Sequence, residues 1–173
     1  MLRPPSPLSQ RRPPTIQWKD IDLEAKEWTY YVSKTKTESF VVPLSSQAVA
    51  ILTELKAITG NSPYLFPSIR TNSRPMSNNT VNAALRRLGY ASDEMCGHGF
   101  RAMARTVLEE NLGYRIEVIE MQLAHAVKDP NGRAYNRTKL LDERRKMMQH
   151  WADYLDSLQV GNVVNVRFGG SAG

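Results

Sequence analysis

The sequence predicts an α+β domain, mostly helical, with a small antiparallel sheet at one edge. Two neighbouring runs, "WTYYVS" (28–33) and "FVVPL" (40–44), carry the aromatic and β-branched residues of strands. From Ser45 onward the apolar residues recur at helical spacing instead, and the helical stretches are closed by Gly60, Gly89 and Gly113.

The first fourteen residues, "MLRPPSPLSQRRPP", hold five prolines and three arginines, a composition that opposes helix and strand alike, so residues 1–14 read as a disordered arm. Ordered structure is expected from about "TIQWKDIDL". Between the two strand-like runs, "KTKTES" reads as a hairpin connection. Val49, Leu52, Leu55 and Ile58 are then spaced for a helix, with Ser45 or Ser46 as N-cap and Gly60 as its end. "NSPYLFPSIRTNSRP" reads as a polar loop marked by proline. A second helix is expected with Ser77 as cap, Val81, Leu85 and Leu88 on its apolar face, and Gly89 as stop.

A third helix begins near Gly99, with Phe100, Ala104, Val107 and Leu108 as its buried stripe, and "IEVIEMQLAH" reads as a shorter one. "AVKDPNGRAYN" breaks the pattern with Pro130 and the Asn131-Gly132 turn signal. Beyond it Leu141, Met148 and Leu155 interleave with Trp151 and Leu158 along a helix of about five turns. Residues 15–158 thus form one domain, and 159–173 a tail. In that tail "VVNVRF" alternates like a strand without a partner, and it is expected either to be disordered or to add to the sheet edge of another chain.

The chain of 173 residues carries 23 Lys plus Arg against 17 Asp plus Glu, a net charge of +6 that suits a polyanionic partner. Cys96 is the single cysteine, which excludes a disulfide framework and a multi-cysteine zinc site and points to a reducing cytoplasm. Neither an apolar run of membrane-spanning length nor a signal-peptide core is present in the sequence, so no membrane partner is expected. A glycine-rich phosphate loop is missing as well.

The candidate chemistry centres on "GHGFRAMART". His98 and Arg101 stand three residues apart, on one face of a helix, where an imidazole and a guanidinium suit an anionic ligand. Each also has a structural reading: His98 as a helix cap and Arg101 as half of an ion pair. His125 stands at a helix end, where a cation favours the dipole. Tyr135 follows a turn in a segment expected to be flexible, and Lys34 and Lys36 lie at the hairpin tip.

In order, these residues resemble the catalytic domain of the tyrosine recombinases, the phage integrase family. "HGFRAMART", "LAH", "AYN" and "ERRKMMQHWADYL" look closest to its prophage and genomic-island members, over about Trp18 to Leu158. The resemblance implies site-specific recombination of double-stranded DNA, without metal or nucleotide cofactor, by a tetramer of the full-length protein. Tyr135 would attack a phosphodiester and leave a 3′-phosphotyrosine. Arg101, His98 and His125 would surround the phosphate, and Lys34, or Lys36 in its place, would protonate the leaving 5′-oxygen.

One family feature has no match here. The first catalytic arginine of the family normally opens an Arg-x-x-Glu motif, yet neither Arg11 nor Arg12 is followed by glutamate three residues on. The family's preceding DNA-binding domains are not in this sequence either, so the chain reads as truncated, an expressed fragment or a decayed prophage gene. A catalytically silent remnant that binds DNA weakly is the alternative function, and a small-molecule phosphodiesterase a third with no residues that build its pocket.

Overall fold

The computed structural model describes residues 16–31, 39–123 and 135–159. The proposed arm over residues 1–14, Lys34, Lys36, His125 and the "VVNVRF" segment lie outside them. The described elements are those of a helical domain with an edge sheet, as the sequence predicts.

Strands β1 (Ile21–Asp22), β2 (Glu27–Tyr31) and β3 (Ser39–Pro43) form an antiparallel sheet in that order. Trp28 pairs with Ile21 on one side and Val42 on the other. The β1–β2 turn is built by the Asp22 carboxylate, whose Oδ1 accepts from the backbone N–H groups of Glu24 at 3.0 Å and Ala25 at 2.8 Å. Lys26 completes it in the left-handed region, at φ 56°.

Helix α1 (Ser46–Thr59) starts where Ser45 Oγ accepts from the Ala48 N–H, so the expected N-cap is present. Its apolar series behaves less simply. Val49, Leu52 and Leu55 are half-buried, but Ile58 is exposed. Each step of three residues falls about 60° short of a full turn, so by Ile58 the series has rotated to the side opposite Val49. Trp18, in a single 3-10 turn before β1, reaches the far end of α1 and donates from Nε1 to the Thr59 carbonyl at 3.3 Å.

The stretch read as a loop contains a second hairpin, β4 (Pro67–Ser68) and β5 (Thr71–Pro75). All five β5 residues are exposed and most are polar, so the hairpin lacks the alternation that marks a half-buried strand. Helix α2 (Thr80–Arg87) begins later than expected. Ser77 does not cap it; its hydroxyl instead accepts from the Asn79 N–H and builds a turn ahead of the helix. Gly89, at φ 96°, ends α2 as expected.

Helix α3 (Gly99–Thr106) runs into a π turn at Val107–Asn111, where Leu112 N–H bonds the carbonyl five residues back, at Val107. Gly113, at φ 67°, reverses the chain into α4 (Ile116–Gln122). Helix α5 spans Tyr135–Gln159, 25 residues and longer than expected.

The core lies where the π turn, α4 and α5 meet. Leu108, Val118, Ile119 and Met147 are buried there, with Leu112, Tyr114, Leu123, Leu140 and Trp151 against them. Burying each large apolar side chain contributes about 1.5–3 kcal/mol. Phe100, expected in the α3 stripe, is 45% exposed, because this core reaches the π turn and not the first turn of α3. No helix among the described residues is long and apolar enough to cross a membrane.

Candidate nucleic-acid active site

The candidate site centres on α3. His98 occupies its N-cap position with helical dihedrals, φ −74° and ψ −29°, so the three-residue spacing to Arg101 keeps both on one face. The imidazole is exposed and makes no capping bond, which removes the structural reading of His98 as a helix cap. The loop before it is held by α2: Asn82 Oδ1 accepts from the Gly97 N–H at 2.8 Å, and Arg86 donates to the carbonyls of Tyr90 and Met95. These bonds aim the first turn of α3. Asn82 and Arg86 also line a depression of about 450 Å³ with Asn79, Ser92 and Cys96.

Two arginines one turn apart on α3 face α4, and their partners differ. Arg105 donates from Nε to Glu120 Oε1 at 2.8 Å and from Nη1 to Glu109 Oε2 at 3.2 Å, and the Glu120 bond raises its pKa above the ordinary arginine value. Arg101 donates from Nη2 to the Leu123 carbonyl and is in no ion pair among the described residues. A half-buried guanidinium held by a neutral carbonyl keeps its full charge and most of its five N–H donors for an incoming anion. The reading of Arg101 as half of an ion pair therefore finds no partner among these residues.

Tyr135, expected in a flexible segment, is the first residue of α5. Downstream, α5 buries Arg144 and Met147, with Leu140 and Trp151 partly buried against the core, so of the expected series Leu141, Met148, Leu155, Trp151 and Leu158 only Trp151 packs against that core. Leu141 and Met148 are half-buried but outside that core cluster, and Leu155 is 36% exposed. Leu141, Met148 and Leu155 stand some 50–90° around the helix from the centre of the stripe formed by Leu140, Arg144, Met147 and Trp151, at about 100° per residue. Arg144 hid the stripe, since a charge at a core position breaks an apolar pattern.

Arg144 is 3% exposed. It donates from Nε to Gln122 Oε1 at 2.8 Å and from Nη2 to the Val41 carbonyl at 2.7 Å, with its guanidinium carbon 4.6 Å from the centre of the Phe40 ring. Its neighbours secure α5 from outside. Glu143 accepts from Arg115 Nη2 at 2.7 Å, Arg145 pairs with Glu27, and Gln149 Oε1 accepts from the Ser46 N–H at 2.9 Å.

The chain matches the phage integrase family over residues 14–140. It belongs to that family. Prophage integrase IntA of Escherichia coli K12 is 41% identical over 149 residues, covering 86% of this chain and 36% of that protein. The integrase of Enterobacteria phage P4 is 46% identical over 143 residues, covering 82% of this chain and 32% of that protein. The integrase of Shigella phage Sf6 is 38% identical over 144 residues, covering 82% and 37%. The integrase-family chain thus spans roughly a third of the length of the curated relatives it matches. No solved structure matches it.

Proposed function

We propose that the chain is the catalytic part of a site-specific DNA recombinase that integrates and excises a prophage or genomic island. The observation that carries this is Arg101: its charge is uncompensated by any described carboxylate, and it shares a helix face with the exposed, non-capping His98. Family membership supplies the reaction class.

In the proposed reaction the Tyr135 oxygen attacks phosphorus, a tyrosyl O–P bond forms and the P–O5′ bond breaks. A free phenol, with a pKa near 10, is a weak nucleophile at neutral pH and needs both in-line placement and an outlet for its proton. His98 and His125 take and return protons around the phosphate. Arg101 grips two non-bridging oxygens and stabilises the charge of the pentavalent phosphorus. Lys34, or Lys36 in its place, gives its proton to the leaving 5′-oxygen. Attack by a 5′-hydroxyl reverses each step, so rejoining needs no ATP. Synapsis of two sites calls for a tetramer of the whole protein on duplex DNA.

A second reading, weak DNA binding without cleavage by this chain alone, is favoured by one observation. Neither Arg11 nor Arg12 begins an Arg-x-x-Glu pair. One experiment separates the two. A duplex nicked so that the 5′-hydroxyl fragment diffuses away traps a 3′-phosphotyrosine. The recombinase reading expects a covalent adduct that Tyr135→Phe abolishes with folding intact, whereas the binding reading expects retention of DNA without any adduct. An adduct that survives Tyr135→Phe would rule out this nucleophile.

A further inference from the structure

We infer that Arg144 is a positioning residue for the site, acting as a buried clamp that sets α5, α4 and β3 relative to one another. The inference rests on the recombinase reading for what is being positioned, but the clamp itself stands on contacts among described residues. The motif "ERRKMMQHWADYL" surrounds Arg144 and takes no part in the chemistry proposed above.

A buried guanidinium is costly to desolvate, and replacing it with an apolar side chain of similar size is often neutral or stabilising. Its presence at a core position of α5 therefore calls for a role other than packing. The bonds it makes show which. Its hydrogen bonds to Gln122 and Val41 run to different elements, α4 and β3, and its face lies over Phe40, also on β3. Each of these three elements adjoins a residue assigned to the chemistry. Tyr135 opens α5, nine residues or about 13 Å of helix before Arg144. Lys34 and Lys36 fall in the sequence between β2 and β3, and His125 follows α4 by three residues.

The α4 contact goes further. Gln122 and Leu123 are consecutive, and they are gripped from two sides: Arg144 holds the Gln122 side chain while Arg101 donates to the Leu123 carbonyl. The end of α4 is thus a short bridge between the phosphate-gripping arginine and the helix that carries the nucleophile. A planar guanidinium fixes direction as well as distance, which a lysine ammonium does not.

Amide hydrogen exchange in the 173-residue chain tests the clamp without requiring activity. In Arg144→Met, exchange should rise about tenfold or more around Leu123 and over residues 135–140, while α1 stays within about twofold of the unsubstituted chain. Arg144→Lys should restore little of the protection. Should Arg144→Met fail to fold, Gln122→Met, which keeps the buried charge and its bond to Val41, should produce the same local pattern. Unchanged exchange at both places, or a uniform rise across the chain, would overturn the inference and leave Arg144 a general stabiliser. The nicked-duplex assay reports separately on the chemistry. An adduct surviving Tyr135→Phe removes the nucleophile assignment, whereas exchange alone decides the clamp.

Discussion

The Arg101 guanidinium donates to the carbonyl of Leu123, 22 residues downstream, and so ties the first turn of α3 to the end of α4. That bond orients the guanidinium without neutralising it. Its neighbour Arg105 has the opposite arrangement, spending its charge on Glu109 and Glu120. The two substitutions should accordingly behave differently.

Under the proposed mechanism, Arg101→Ala should lower both DNA affinity and any covalent adduct, because it deletes donors assigned to the phosphate before and during transfer. Loss of one such donor typically costs about 3 kcal/mol at the transition state, roughly a hundredfold to a thousandfold in rate. Single-turnover trapping on nicked duplex measures this. Arg105→Ala should leave the rate within a few fold, and an equal loss from both would remove the distinction between them.

Under the proposed function, DNA binding by this chain should be weak, steeply salt-dependent and nearly indifferent to sequence, as expected of binding carried mainly by phosphate contacts. A plot of log affinity against log salt should be linear, with a slope made shallower by about one unit in Arg101→Ala. A flat salt response, or tight selective binding to one sequence, would contradict this.

Met147 is fully buried at the junction of α4, α5 and the π turn. Met147→Ala should destabilise the fold by about 2–5 kcal/mol, through lost burial and the cavity left behind. Urea denaturation should show an earlier midpoint with an unchanged slope. Leu155→Ala, on the exposed side of the same helix, should cost far less.

Burial raises the Tyr114 phenol above its ordinary value of 10.0, beside His150, whose Nδ1 lies 3.2 Å from the hydroxyl. The folded chain therefore holds this proton more tightly than the unfolded chain. Its contribution to stability is complete below pH 10 and is lost as pH rises from there through the folded-state value. Tyr114→Phe should flatten the alkaline decline in stability relative to the unsubstituted chain. An identical alkaline slope in both would show that Tyr114 does not contribute.

Local chemistry made much of this protein legible from its residues alone. Ser45 as N-cap, Gly89 and Gly113 as helix ends, and β2 and β3 as strands all follow from interactions within a few residues, and each stands where the pattern puts it. The shared face of His98 and Arg101 is equally local, since helical spacing alone produces it. What the sequence could not carry is whatever depends on residues far apart in the chain. The β4–β5 hairpin has no buried face to impose a period, and the exposure of Phe100 depends on the core forming at the π turn, α4 and α5, away from the first turn of α3. Above all, Arg144 is a core residue only because Gln122, Val41 and Phe40 converge on it from 22 to 104 positions away. A charge can be buried only where partners from other elements replace its water, and the tertiary fold alone brings those partners together.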